Sequence, residues 1–162
     1  MSGAPAPAAV NLPKEARLSS GTAELRLTLS STETAVASVI DIVRRTMEML
    51  HLEPDWIPRS ELALQEALLN AHLHGNNADP AKQIHVSCVL SRDFLQLRVQ
   101  DGGPGYCFDR PVCNVHSSAQ SGRGLFLIRH MMDSVTFNET GSGIVMSLFK
   151  ERDDGNQRDR GR

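Results

Sequence analysis

The sequence predicts an α+β fold: a two-layer α/β sandwich in which a mixed, mostly antiparallel sheet carries helices on one face. Segments of alternating hydrophobicity indicate strands, and three further segments, the first with an apolar stripe at helical spacing, indicate helices. Their order along the chain is β-α-α-β-β-loop-α-β-β, and strands that follow one another directly favour antiparallel pairing. The 162 residues, 40% hydrophobic and 22% charged, suit one soluble domain with its own core.

The first two elements are a strand and a helix. Leu25, Leu27 and Leu29 alternate along 24–29 and predict a half-buried strand. Ser30 and Glu33 then have the spacing of a capping box, which predicts the start of a helix. Apolar residues follow on one helical face, at Val36, Val39, Ile40, Val43, Met47 and Leu50.

A second helix is predicted over 58–74. Pro58 suits its first turn, and Gly75 suits the position after its end. Apolar residues lie almost all round this helix, so we expect it to be covered on more than one side.

The second half of the chain completes the predicted sheet. Alternation over 84–90 and 95–99 predicts a hairpin, and a loop over 101–121 follows it. A third helix over about 122–132 precedes two closing strands around Gly141-Ser142-Gly143. Long loops inside compact domains are usually functional.

The composition sets the domain limits and excludes several classes of function. Residues 1–22 and 151–162 are expected to be disordered tails, which leaves one folded domain over 23–150. The formal charge of −2 argues against a direct nucleic-acid partner. The sequence has no apolar run of the roughly 20 residues that cross a bilayer, and no secretory signal is visible, so we expect a cytoplasmic protein without a membrane partner. Cys88, Cys107 and Cys113 have no metal-site or disulfide spacing and are expected to be dispensable thiols.

Two polar residues stand out on the second helix. Glu66 and Asn70 are four residues apart, so they share one helical face on an otherwise nearly apolar element. One interpretation is a solvent-facing edge of the helix. The other is a carboxylate base beside an amide oxygen that ligates a hard cation.

Two glycine-rich stretches are further candidates. Asp101-Gly102-Gly103-Pro104-Gly105 follows a strand directly; it is either a tight turn or a place where the backbone approaches a flat ligand. Gly122-Arg123-Gly124-Leu125 opens the third helix, whose free N–H groups suit phosphate. The second stretch lacks the third glycine of a dinucleotide fingerprint, and the chain has no phosphate-binding G-x-x-x-x-G-K-[ST] loop.

The order of these motifs is more specific than any one of them. Glu66-x-x-x-Asn70-x-x-x-His74-Gly75, then Asp101-x-Gly103-x-Gly105, then Gly122-x-Gly124-Leu125 resembles the GHKL, or Bergerat-fold, ATPases. Over about residues 24–149 the chain looks most like the bacterial anti-sigma factor serine kinases of partner-switching systems.

This resemblance implies a fold, ligands and roles for individual residues. It implies a Bergerat-type sandwich that binds ATP and Mg²⁺. Glu66 would be the general base, Asn70 the Mg²⁺ ligand and Asp101 the reader of adenine. Residues 106–121 would form a lid over the nucleotide. The remaining nucleotide-binding positions carried over are His74, Gly103, Gly105, Gly122, Arg123, Gly124 and Leu125.

The resemblance also implies partners. The substrate would be a STAS-domain anti-sigma factor antagonist, and a sigma factor or similar regulator would be sequestered; a homodimer is compatible with this arrangement. Two alternatives stay open: a non-catalytic nucleotide-binding module that sequesters a partner, and the detached ATP-binding domain of a histidine kinase. Glu66 argues against the second, since those kinases generally have Asn at this position.

Overall fold

The computed structural model describes residues 10–11, 17–19, 21–105 and 121–150. The three helices are α1 (Glu33–Met49), α2 (Trp56–Asn70) and α3 (Ser121–Met131). The strands are β1 (Val10–Asn11), β2 (Arg17–Ser19), β3 (Thr22–Ser30), β4 (Gln83–Ser91), β5 (Phe94–Gln100), β6 (Ser134–Phe137) and β7 (Gly143–Phe149).

The seven described strands form one sheet. Its order is β1-β3-β4-β5-β7-β6, and β2 also pairs with β3. Every strand pair among the described residues is antiparallel. The α+β class and the mostly antiparallel sheet predicted from the sequence are therefore confirmed.

One face of the sheet forms the core. Leu25, Cys88, Leu97 and Met146 lie side by side across four strands, and all are buried. Burial raises the pKa of the Cys88 thiol to about 12, as expected for a core residue rather than a reactive one. Helices α1 and α2 cover this face, and α3 packs on α2.

The other face of the sheet is polar. Arg26, Ser87 and Arg98 lie opposite one another on β3, β4 and β5, and both arginines are exposed. Alternation along the strands therefore separates a helix-covered face from a solvent-facing one, which confirms the predicted two-layer arrangement.

The start of α1 differs from the sequence prediction. Ser30 is the last residue of β3 and pairs with Gln83, so its backbone belongs to the sheet. The N-cap is Thr32, whose side-chain oxygen accepts a hydrogen bond of 3.3 Å from the backbone N–H of Ala35. The predicted Ser30–Glu33 capping box is therefore wrong.

The end of α2 also differs. The helix begins at Trp56, which keeps Pro58 in the first turn, but regular α-helix ends at Asn70. Residues 71–75 form a π-helical turn, in which the N–H of Asn76 donates to the carbonyl of Ala71 over 2.8 Å. Such wide turns are frequent at functional sites because they re-aim the residues around them.

The predicted tail over 1–22 is corrected where the structure describes it. Val10–Asn11 and Arg17–Ser19 pair with β3, and Thr22 begins that strand. The rest of that tail, the predicted tail over 151–162 and residues 106–120 of the predicted lid lie outside the described residues. In the part of the chain that is described, no helix combines the length and apolarity needed to cross a membrane.

Candidate functional site

The two polar residues singled out on α2 face the start of α3. A methyl group placed on Gly124 would lie 2.7 Å from Oε2 of Glu66 and 3.4 Å from Nδ2 of Asn70. Gly124 is buried, while Glu66 and Asn70 are half-buried. Packing of α3 on α2 therefore brings three of the predicted site residues into direct contact.

The side chains of Glu66 and Asn70 have no polar partner among the described residues. Within the residues that the structure describes, Glu66 and Asn70 have no side-chain hydrogen bond and no ion pair. Their oxygens are thus free to accept from, or coordinate, a ligand.

Asp101 marks the opposite wall of the site. Its backbone N–H donates to the carbonyl of Ser142 over 3.0 Å, and its Oδ1 accepts from the N–H of Gly103 over 2.7 Å. Partial burial raises the pKa of this carboxyl above its ordinary value, against the opposing effect of the Gly103 bond. A side-chain oxygen remains available beyond the one that Gly103 uses.

Three glycines near Asp101, namely Gly75, Gly103 and Gly105, are required by close packing of the chain itself. A methyl group on Gly75 would overlap the Asp101 carboxylate, and one on Gly103 would overlap the carbonyl of Gly75. Gly105 has φ +81° and its missing side chain makes room for the carbonyl of Thr140. The close approach to a ligand expected at Gly103 and Gly105 stays a prediction, since the approaches in the described structure are to neighbouring backbone.

A cleft runs between these two walls. It is narrow: about 380 Å³ of space lies in and in front of it, open solvent included, but only about 30 Å³ can hold the centre of a water-sized molecule. Its polar groups come from Asn70, Asp101 and Ser142, and its apolar lining includes Ala67, Ala71, Val99, Leu125, Phe137 and Ile144. A narrow apolar slot with a carboxylate at one side suits a flat heterocycle that carries an amine.

The remaining predicted residues surround the cleft. His74 is exposed and lines an adjoining hollow with Asp101 and Gly105. Gly122 and the exposed Arg123 lie in the first turn of α3, beside Gly124. Cys107 and Cys113, the two predicted dispensable thiols besides Cys88, lie outside the described residues. Among the described ones, no group of three or more His, Cys, Asp or Glu side chains is placed to hold a metal ion.

Sequence reasoning missed two residues of the site. Gly75 belongs to the motif and to the predicted helix end, but it is not predicted as a site residue, yet it lies against Asp101. Asn76 is fully buried and bonds to two other segments through its side chain. A polar residue after a glycine is typical of any turn, so no local signal distinguished Asn76.

Comparison with known proteins identifies the family. Residues 29–148, which hold the whole cleft, match the histidine kinase-like ATPase domain. The chain belongs to this family. The family is defined by an ATPase domain, so membership implies that this chain uses ATP.

Curated relatives are identical to this chain at about a quarter of the aligned residues. An anti-sigma F factor of Oceanobacillus iheyensis is 28% identical over 121 residues, covering 70% of this chain and 78% of the relative. The serine-protein kinase RsbW of Bacillus subtilis is 27% identical over 105 residues, covering 59% of this chain and 65% of the relative. The chain thus spans slightly less than two thirds of the length of that kinase.

A solved structure supports the fold. The RsbU and RsbW domains of Rv1364c from Mycobacterium tuberculosis match with a TM-score of 0.53 and 17% identity, over 77% of this chain and 31% of that longer one. At this identity the likeness concerns the fold alone.

Proposed function

We propose that this histidine kinase-like ATPase domain is an ATP-dependent serine-protein kinase and anti-sigma factor. It would phosphorylate a serine of a STAS-type anti-sigma factor antagonist and sequester a sigma factor or similar regulator. The observation that carries the proposal is the position of Glu66, whose carboxylate has no hydrogen-bond or ion-pair partner among the described residues and lies against Gly124. These two residues directly precede Ala67 and Leu125, which line the cleft. The names of the relatives, anti-sigma F factor and serine-protein kinase RsbW, support the same function.

The chemistry assigned to Glu66 is proton transfer. A bond forms between the serine Oγ of the partner and the γ-phosphorus, the bond from that phosphorus to the oxygen of the departing ADP breaks, and the serine proton passes to the Glu66 carboxylate. A carboxylate that has no hydrogen-bond or ion-pair partner among the described residues is suited to this role. A positioned general base typically contributes about 10²–10⁴-fold.

Asn70 is assigned to Mg²⁺. Its amide oxygen is the kind of hard ligand that this ion accepts, and its side chain has no hydrogen-bond partner among the described residues. It lies one helical turn from Glu66, on the same face. The ion would neutralise phosphate charge during transfer.

The remaining groups hold the nucleotide. Asp101 would accept a hydrogen bond from the exocyclic amine of adenine, with the base in the apolar slot. The N-terminal turn of α3, with Gly122, Arg123 and Gly124, would face the phosphates with its free N–H groups. Leu125 contributes to the apolar lining, and His74 borders the adjoining hollow.

The test is phosphate transfer from labelled ATP to a candidate antagonist under single-turnover conditions. Glu66→Gln keeps the shape of the side chain and removes the base, so we expect near-wild-type ATP affinity and at least about 100-fold slower transfer. Glu61→Gln, a carboxylate on the same helix that is not among the groups nearest Gly124, is the matched control and should transfer at the wild-type rate.

Equal transfer rates for Glu66→Gln and wild type would overturn the base assignment. A wild-type protein that binds ATP and partner yet transfers no phosphate would favour the alternative, a non-catalytic module that acts by sequestration.

A further inference from the structure

Asn76 is a buried amide with every side-chain polar atom in use. It is 0% exposed. Its Nδ2 donates to the carbonyl of Gln83 over 3.1 Å, and its Oδ1 accepts from the backbone N–H of Gly102 over 3.2 Å. Its backbone N–H closes the π-helical turn on Ala71. Asn76 therefore joins the end of α2, the start of β4 and the loop after β5.

The bond to Gly102 acts next to Asp101. The peptide before Asp101 is held by its own N–H, which donates to the carbonyl of Ser142 over 3.0 Å. The peptide after Asp101 is held by the Gly102 N–H on Asn76. The peptides on both sides of Asp101 are thus held by hydrogen bonds. The carbonyl of Ser142 holds the one before it, and the side chain of Asn76 holds the one after it.

The residue before Asn76 completes this support. Gly75 packs against the Asp101 carboxylate so closely that a methyl group there would overlap it. A shift of Asn76 would therefore move both the surface against which the carboxylate packs and the peptide that carries it.

We infer that Asn76 is a positioning residue that sets the preference of the cleft for adenine, by holding the Asp101–Gly102 peptide in place. This inference rests on the proposed function, since it takes Asp101 as the group that accepts from the adenine amine. A site that hydrogen-bonds one polar group of its ligand rejects ligands that lack this group, because the acceptor in the site is then left unpaired. This selectivity requires that the acceptor, here the Asp101 carboxylate, stays in place. Without Asn76 the peptide rotates, the carboxylate moves, and adenine loses its advantage.

The informative measurement is the ratio of dissociation constants for ITP and ATP, because ITP carries a carbonyl where ATP carries the amine. Asn76→Ala removes the acceptor for Gly102, and we expect the ratio to fall about tenfold, mainly through weaker ATP binding. Asn76→Asp keeps an oxygen for Gly102 and loses the donor to Gln83, so we expect lower stability with the wild-type ratio.

The matched control removes a buried hydrogen bond elsewhere. Ser60 is 0% exposed, and its hydroxyl donates to the carbonyl of Trp56 over 2.6 Å, away from the cleft lining. Ser60→Ala should destabilise the fold and leave the ITP-to-ATP ratio unchanged. A change of ratio in this variant would mean that lost stability alone alters base preference, which would overturn the inference.

A second readout needs no nucleotide. Gly102 is exposed, so slow exchange of its amide hydrogen in the free protein would come from the bond to Asn76. We expect that amide to be protected in the wild type and in Asn76→Asp, and unprotected in Asn76→Ala.

The outcomes distinguish a failure of the positioning role of Asn76 from a failure of the proposed function. A folded Asn76→Ala protein with the wild-type ratio would overturn the positioning role. If that variant does not fold, an unprotected Gly102 amide in the wild type, or a lost preference in Asn76→Asp, overturns it instead. A wild-type protein that binds neither nucleotide would overturn the proposed function itself.

Discussion

The Cα of Gly124 on α3 faces the carboxylate of Glu66 on α2 with no room for a side chain. A methyl group at Gly124 would lie 2.7 Å from Oε2, well inside van der Waals contact. The spacing of the two helices is therefore set where the proposed base lies, and the position of the carboxylate depends on a missing side chain 58 residues further along the chain.

Gly124→Ala should separate stability from transfer. Alanine is favoured over glycine inside a helix by about 1 kcal/mol, and the atom it would meet is the mobile end of Glu66, so we expect the domain to stay folded. The displaced carboxylate should slow phosphate transfer about 100-fold. Thermal unfolding and single-turnover transfer measure the two effects.

The control for this variant is a double-mutant cycle with Glu66→Gln. If the methyl group acts through Glu66, adding Gly124→Ala to Glu66→Gln should slow transfer little further. Independent, multiplicative losses would show that Gly124 acts on another part of the site.

Asn70→Ala should abolish tight binding of Mg-ATP while the fold is retained. The side chain makes no hydrogen bond to the described residues, so its removal costs the fold little. Calorimetry of ATP binding with and without Mg²⁺ measures the effect. Gln65→Ala, an exposed change on the same helix, is the control and should bind as wild type. Unchanged affinity in folded Asn70→Ala would rule out the Mg²⁺ role.

Asp101→Asn should be more stable than wild type at neutral pH and should bind ATP poorly. Burial raises the pKa of the Asp101 carboxyl above 3.8, so the folded protein holds this proton more tightly than the unfolded chain. The wild type therefore loses stability as pH rises from 3.8 through the raised value, and the loss is complete above it. Asparagine has no proton to lose and still offers an oxygen to Gly103.

The measurement for Asp101→Asn is its melting temperature relative to wild type across acidic to neutral pH. The difference should grow with pH and then level off. A difference that shrinks as pH rises would reverse the sign of the effect and contradict the burial argument. Asp79→Asn, a loop carboxylate outside the cleft lining, should keep normal ATP affinity.

Gly105→Ala should be strongly destabilising, and Gly21→Ala only moderately so. Both glycines have positive φ, +81° and +83°, and the strain of alanine in that region costs about 1–2 kcal/mol. The space around Gly21 is empty, whereas a methyl group on Gly105 would overlap the backbone carbonyl of Thr140. Chemical denaturation measures the loss of unfolding free energy in each variant. The difference between the two losses gives the cost of the overlap with Thr140, because the backbone strain is common to both. Equal losses of unfolding free energy would contradict the packing assigned to Gly105.

The secondary-structure elements and the order of the chemical groups along the chain could be predicted from the sequence. Alternation along Leu25–Leu29 and the helical stripe of α1 are local patterns, and each produced its element at nearly the observed bounds. Elements that depend on distant pairing were missed. The strand at Val10–Asn11 is two residues long and forms by pairing with the edge of β3. Ser30 is not the helix cap because its backbone pairs with Gln83 in the sheet.

Which groups come into contact became known from the folded chain and could not be predicted. Glu66 contacts Gly124 because α3 packs on α2. Asn76 contacts Gly102 because β4 begins, and β5 ends, beside the π-helical turn. Periodicity reports which face of one element is buried, and it carries no information about the distance between two elements. That distance follows from the packing of the complete core, so the supports of Asp101 became visible only once the chain was folded.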